Sequence, residues 1–252
     1  MTRSAGIPVV ILAGGLGTRL REITGDRCPK PMVPVPFEGE TYPFLEFVLA
    51  HFRRQGISEV VLCIGHLGDQ IVAHFGDGVR FGLNIRYDDD GTADTGFRAF
   101  RASGRLRSGS FLLSCGDTFL PLDAGGFLGE FGRHPNWQVQ LAVVDAPNTC
   151  APNVALDAEG RVTAFGELGR PTGRVGLETG TMVIRRPALE GIDPGRSFSL
   201  TGDLYPELIR RRSLGGMRVA RPFFDIGTPA GYREFCAFAG SGGARPISLD
   251  GR

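Results

Sequence analysis

The sequence predicts an α/β fold with a mostly parallel mixed sheet flanked by helices, plus a smaller β subregion in its second half. Three observations predict it. Apolar runs of strand length stand unbroken, as in IPVVILA at 7–13 and EVVLCIG at 59–65, which is how strands buried on both faces read. Segments with a helical period separate those runs, and such β and α alternation builds a parallel sheet with right-handed crossovers. Polar or glycine-rich segments at 14–19, 88–92 and 116–118 fall at the carboxyl ends of strands, where open α/β sheets bind ligands. A single Rossmann-like domain follows.

The elements run in order along the chain. Residues 7–13 form the first strand, stopped by Gly14-Gly15. Residues 43–55 form a helix with Phe44, Phe47, Val48 and Phe52 on one face and a Gly56 stop. A buried strand at 59–65 leads to a short helix at 67–75, ended by Gly-Asp-Gly at 76–78. IRYD at 85–88 is a strand, and TGFRAFRAS at 95–103 is a helix with Phe97 and Phe100 inward. FLLSCGD at 111–117 and VQLAVVD at 139–145 complete the alternation. Beyond them, short strands at 153–157, 162–166 and 179–185 are spaced by Gly/Pro-rich loops such as 167–176. A helix at 201–212 starts from Thr201 as N-cap, RVARPFFDIG at 218–227 reads as a strand, and Thr228-Pro229 opens a last helix. One domain over 1–239 is expected, with parts at about 7–145 and 146–237, and a frayed tail at 240–252.

Composition narrows the function. The 252 residues are 42% hydrophobic and 22% charged, a globular balance that excludes general disorder. No apolar run approaches the ~20 residues that cross a bilayer, and MTRSAGIPVV lacks the features of a signal peptide. A soluble, cytoplasmic protein without a membrane partner is expected. A net charge of +1 argues against a nucleic-acid groove. Cys28, Cys63, Cys115, Cys150 and Cys236 are scattered without a C-x-x-C pair, so buried free thiols are expected. His51, His66, His74 and His134 lack metal-ligand spacing, and Trp137 reads as a packing anchor. Lys30 is the only lysine; the other 27 basic residues are arginine. A compact ammonium does what a planar guanidinium cannot, so this position stands out.

LAGGLGTRL at 12–20 is a glycine-rich turn after a buried strand, where backbone N–H groups can approach phosphate oxygens. No Gly-Lys pair makes it a Walker A loop, and Thr18-Arg19-Leu20 replaces the end of a dinucleotide fingerprint. Arg19 adds a cation just past the cradle; the bland alternative is a tight turn with an incidental arginine. Asp117 and Asp225 end the segments FLLSCGD and PFFDIG, where turn capping is the bland alternative.

AGG-x-GTRL followed by C-PKPM at 28–32 resembles the signature of the sugar-1-phosphate nucleotidyltransferases, over residues 8 to about 237. PFLEFVL at 43–49 and IVAHFGDGVRFGLNIRY at 71–87 look most like bacterial heptose-1-phosphate and mannose-1-phosphate guanylyltransferases. The resemblance implies that an NTP and a sugar 1-phosphate give an NDP-sugar and pyrophosphate, a transfer governed by positioning and charge neutralisation. Arg19 matches the arginine that steadies the β and γ phosphates, and Lys30 the lysine near the reacting phosphates. Leu12, Ala13, Gly14, Gly15, Gly17, Thr18, Gly91, Thr92 and Gly116 match nucleotide-binding positions. Asp117 and Asp225 match a Mg²⁺-holding pair. The 146–237 part would bind the sugar, and a homodimer is compatible with the family.

Departures bear on substrate identity. DDDGTADTGFRA at 88–99 replaces an LGTGGA-like base frame, and TGFRAFR faintly resembles the TGGRLKR of glucose-1-phosphate cytidylyltransferases. A Glu-Lys pair that binds sugar and phosphate aligns with Glu167-Leu168, leaving Arg170 or Arg174 to supply the charge. An Asn-x-Gly that contacts sugar aligns with Glu178-Thr179-Gly180. GTP with a heptose or cyclitol phosphate is the expected pairing; CTP, ATP or UTP with a hexose 1-phosphate is the alternative. An NAD-dependent oxidoreductase would need a third glycine and an acidic residue about twenty positions on. An inert nucleotide-sugar-binding regulator would be marked by loss of Arg19, Lys30, Asp117 or Asp225, and all four are present.

Overall fold

The first apolar run is laid down as β1 (Val9–Leu12), a central strand with parallel neighbours on both sides. A computed structural model of the chain describes residues 6–15, 18–25, 27–89, 94–146, 150–169, 173–193, 198–220 and 222–249. After β1 come α1 (Arg21–Thr24), the hairpin β2 (Pro34–Phe37) and β3 (Glu40–Pro43), α2 (Phe44–Arg54), β4 (Glu59–Ile64), α3 (Gly68–Phe75), β5 (Asn84–Asp89) and α4 (Thr95–Ser103). Then follow β6 (Ser110–Cys115), β7 (Thr118–Phe119), α5 (Ala124–Arg133), β8 (Val139–Val144), β9 (Val154–Leu156), β10 (Val162–Phe165) and β11 (Arg174–Arg185). The described chain closes with α6 (Tyr205–Arg210), β12 (Leu214–Arg218), β13 (Phe224–Asp225) and α7 (Pro229–Gly240).

The nine-stranded sheet runs β10-β9-β11-β6-β1-β4-β5, with β8 paired to β11 and β12 paired to β8. Strands β5, β4, β1 and β6 are mutually parallel, while β11 enters antiparallel between β6 and β8. The sheet is therefore mixed and mostly parallel, with helices on both faces, as the sequence predicts. Alternate residues of each buried strand feed two cores. Val9, Ile11 and Leu62 join α2, α5 and α7 on one face, and Val10, Val61 and Leu113 join α4 and α6 on the other. The antiparallel β9, β10 and amino-terminal half of β11 form the smaller subregion.

The structure corrects several boundaries. The strand expected at 218–227 divides into β12, which ends at Arg218, and β13, which pairs with β7. The penultimate helix is capped by Ser199, whose hydroxyl accepts from Gly202 N–H at 3.2 Å, rather than by Thr201. The fully buried face of α4 carries Arg98, Ala99 and Ala102, leaving Phe97 and Phe100 half-buried. Cys63 is buried, Cys28, Cys115 and Cys236 are partly or largely covered, and Cys150 is exposed. The segment expected to fray packs instead as far as Leu249: Ile247 is 2% exposed, and Ser248 donates from N–H and hydroxyl to Glu46 at 3.2 and 2.6 Å. Burial alone would raise the Glu46 carboxyl, but hydrogen bonds from His74 and Ser248 hold it below the usual range.

Candidate active site

The carboxyl ends of β1, β4 and β6 are stitched together by backbone hydrogen bonds. Ala13 N–H donates to the Cys63 carbonyl at 2.8 Å, and Gly116 N–H to the Leu12 carbonyl at 2.9 Å. A Cβ on Gly116 would stand 3.0 Å from that carbonyl oxygen, so a side chain there would push the two strand ends apart by a few tenths of an ångström. Gly14 is tight for another reason. A Cβ there would collide with the guanidinium of Arg98 and lie 2.9 Å from the Ile64 carbonyl. Arg98, 7% exposed on α4, aims Nη2 at the Gly14 carbonyl at 3.5 Å. This buried cation behind the glycine turn was not foreseen, because an arginine on an amphipathic helix ordinarily reads as solvated.

Beyond the turn, Thr18–Leu20 forms a single 3-10 turn that exposes Arg19 while burying Leu20 completely. A second 3-10 turn, Lys30–Met32, starts after the extended Pro29 and carries Lys30, 8% exposed, inward. Its Nζ donates to Asp117 Oδ2. The short β7–β13 pair brings the second carboxylate, with Asp225 opposite Thr118 and Ile226 N–H donating to the Asp117 carbonyl at 3.0 Å. Asp225 Oδ1 accepts from Gly227 N–H at 2.6 Å, a turn that fixes the carboxylate. One point summarises the convergence. The position a Cβ on Gly227 would take lies 2.7 Å from Asp225 Oδ1, 2.8 Å from Lys30 Nζ and 3.3 Å from Arg19 Nη2.

Four residues from four separate segments thus meet at the carboxyl edge of the sheet. Two carboxylates offer hard oxygen donors beside two cations suited to phosphate. Among the described residues no group of three or more His, Cys, Asp or Glu forms a metal cage. The pair suits Mg²⁺, which takes one or two protein carboxylates and completes its shell with phosphate oxygens and water. Cys115 lies beneath the cluster. Burial pushes its thiol far up, and the charges of Asp117, Glu178 and Asp225 push it further. It stays a neutral thiol.

On the sugar-facing side expected from the sequence, β11 carries a bulge between Glu178 and Met182. Gly180 sits there at φ 73°, and a Cβ on it would meet Cys115 Sγ at 2.7 Å. Glu178 Oε1 accepts the Gly180 N–H at 2.7 Å across this bulge. Burial pushes its carboxyl up to about 7, against the lowering effect of that hydrogen bond. Thr179 is 1% exposed, and its hydroxyl donates to the Ala142 carbonyl at 3.0 Å. Arg174 is exposed and shares the face of Glu178 two strand steps away. Glu167 is exposed beyond β10, and neither residue contacts the Arg19–Lys30 cluster among the described residues. Gly17, Gly91, Thr92 and Arg170 lie outside the described residues, as does the side chain of Thr18; Gly15 is exposed with open space around it.

Two larger clefts of about 610 and 580 Å³ open at the opposite end of the sheet, around Trp137 and Leu208. Of their arginines, Arg133, Arg161 and Arg211 are paired with Glu130, Asp157 and Glu207, Arg212 also lines the cleft around Trp137, and no residue of the cluster lines either cleft.

The nucleotidyl transferase family profile matches residues 8–168. A D-glycero-α-D-manno-heptose 1-phosphate guanylyltransferase from Aneurinibacillus thermoaerophilus is 26% identical over 230 residues, 89% of this chain and 95% of that protein. A mannose-1-phosphate guanylyltransferase from Mycobacterium tuberculosis is 31% identical over 88% of this chain. The chain spans 62% of the length of that relative, and 54% of a UTP–glucose-1-phosphate uridylyltransferase from Synechocystis. The crystal structure of HddC from Yersinia pseudotuberculosis, complexed with GMP-PN, superposes with a TM-score of 0.75 at 26% identity, covering 92% of this chain and 98% of that one. With the glycine turn, Arg19, Lys30 and both aspartates assembled at one sheet edge, and the family profile running through four of those five features, the chain belongs to the nucleotidyl transferase family.

Proposed function

We propose that this protein transfers a nucleotidyl group from an NTP, with GTP favoured, to a sugar 1-phosphate of the heptose class, releasing pyrophosphate. The observation that carries the reading is the meeting of Arg19, Lys30, Asp117 and Asp225 around Gly227. A phosphate oxygen of the sugar phosphate attacks the α-phosphorus as the bond to pyrophosphate breaks, so charge builds on the leaving group. Arg19, exposed at the mouth, neutralises that charge, and Lys30 serves the reacting phosphates. Asp117 and Asp225 would hold Mg²⁺, which supplies charge neutralisation at phosphate oxygens. Backbone N–H groups of the glycine turn after β1 would serve the nucleotide phosphates.

GTP is favoured because the Aneurinibacillus relative is named a guanylyltransferase and HddC is complexed with GMP-PN, each matched over at least 95% of its length, although a whole-length relative from Neisseria meningitidis is named an N-acetylmuramate α-1-phosphate uridylyltransferase. Uridylyl transfer is the second reading, since the Synechocystis relative is named for UTP. Four NTPs assayed against a panel of sugar 1-phosphates, with pyrophosphatase and phosphate detection, test both. Turnover with GTP and a heptose 1-phosphate supports the proposal. The highest kcat/KM with UTP and a hexose 1-phosphate selects the second reading, and no turnover in any cell of the matrix refutes the transferase.

A further inference from the structure

The single lysine of a chain with 27 arginines stands where two anions converge. Lys30 Nζ donates to Asp117 Oδ2, and the ammonium and Asp225 Oδ1 both lie within 2.8 Å of one point beside Gly227. Its side chain is 9% exposed, whereas that of Asp117 is 32% exposed and remains open to the cleft. Two carboxylates forced together without a cation repel one another, and the buried ammonium offsets that repulsion. Asp117 Oδ2, which accepts from the ammonium, is one of the two carboxylate oxygens a hard cation could use, and an ammonium beside it repels that cation at either.

We infer that Lys30 is a built-in counter-cation that competes with the divalent metal for Asp117, and that metal entry frees its ammonium for the substrate phosphates. The inference rests on the reading of Asp117 and Asp225 as the metal pair. Lysine suits the task where arginine does not. Its ammonium contacts one oxygen as a point charge on a flexible stem, whereas a guanidinium would clamp both oxygens in a planar fork. Gly227 presents no side chain between Asp225 Oδ1 and the Lys30 ammonium, so nothing bars the exchange there.

Two measurements on the intact protein decide the matter. Isotope labelling of lysine gives a single side-chain NMR signal, since Lys30 is the only one. Mg²⁺ titrated without nucleotide should shift that signal saturably, and KCl at equal ionic strength should not. Binding of Mn²⁺, read by electron paramagnetic resonance of the free ion, should tighten on the order of tenfold or more in Lys30→Gln, from removal of a unit positive charge a few Å away. Turnover of the same variant should fall. A merely structural lysine would weaken metal binding and turnover together, and equal or weaker Mn²⁺ binding by Lys30→Gln overturns the inference. A lysine signal that ignores saturating Mg²⁺ also overturns it, and decides alone where Lys30→Gln does not fold. Equal Mn²⁺ binding by wild type and Asp225→Asn instead removes the metal-pair reading, and the inference falls with it.

Discussion

Ile226 donates its backbone N–H to the carbonyl of Asp117 at 3.0 Å, and this one bond sets the register of the candidate site. Asp117 leaves the end of β6, Asp225 ends β13, and 107 residues of chain separate them. The β7–β13 pair is only two residues long on each side, so side-chain packing must support it. Phe119 and Phe224 supply that support against Phe235 of α7, at ring-centroid distances of 5.2 and 5.7 Å. An apolar aromatic cluster beneath the edge thus holds two charged groups above it.

Asp225→Asn keeps the size of the side chain and an oxygen for the Gly227 N–H, so the turn should persist. The metal would lose half of its protein charge. We expect kcat to fall by orders of magnitude with an unchanged circular dichroism spectrum. Excess chelator should abolish turnover of the wild type as well. Near-normal turnover under either condition contradicts a two-carboxylate site.

Arg19→Ala tests the phosphate role separately from stability. The side chain is exposed at the mouth and fills no core, so its removal leaves no cavity. Loss of one preorganised charge donor should cost roughly 2–4 kcal/mol of transition-state stabilisation, with Tm nearly constant. Unfolding at normal specific activity would reverse the assignment.

Gly227→Ala probes the convergence itself. The added methyl would stand 2.7 Å from Asp225 Oδ1 and 2.8 Å from Lys30 Nζ, both ends of movable side chains. The fold should absorb the change, while the charges shift by a fraction of an ångström or more. Misplacement on that scale costs up to about 10²-fold in turnover. A variant with wild-type kcat would mean the charges need no such precision.

The sheet was legible because its strands are apolar on both faces, and α2 because Phe44, Phe47, Val48 and Phe52 keep a helical period over the core. The hairpin β2–β3 was not, since Pro34 and Pro36 argue against a strand, yet each is tolerated in an isolated two-stranded pair. Helix α5 hides behind four glycines, which lower helix propensity, and Phe127 and Phe131 hold it by packing. At the site, Arg19, Lys30, Asp117 and Asp225 carried a motif that could be seen in one dimension. Arg98 and Gly227 did not, because Arg98 answers to the Gly14 backbone 84 positions away, and Gly227 meets Lys30 and Arg19 at 197 and 208 positions' distance. The hydrogen bond of the Thr179 hydroxyl to the Ala142 carbonyl, 37 positions away, is likewise invisible in one dimension.

Glu178 carries the last prediction, because burial raises its carboxyl to about 7 from an ordinary 4.5. A folded-state pKa above the unfolded value means the fold binds that proton more tightly. The stabilisation is complete below pH 4.5 and is lost as pH rises through 7. Glu178→Gln removes this dependence while leaving an oxygen to accept the Gly180 N–H. The variant should therefore gain on the wild type above pH 7, by at most about 3 kcal/mol at 1.36 kcal/mol per pKa unit. Denaturant unfolding at pH 5 and pH 8.5 reads the difference. Identical pH profiles for the two proteins would contradict the buried, protonated carboxyl. Function separates from stability through kinetics. If the carboxyl reads a hydroxyl of the acceptor, Glu178→Asn, assayed at pH 8.5 where the wild-type carboxylate is ionised, should move preference toward ordinary hexose 1-phosphates by ~1.5–3 kcal/mol, one hydrogen bond to a charged group. Arg174→Ala, on the same strand face, should raise KM for the sugar phosphate and leave KM for the NTP nearly unchanged. Arg170→Ala is the matching test at the other candidate cation. Were neither arginine variant to alter sugar-phosphate kinetics, a different cation would have to hold that phosphate.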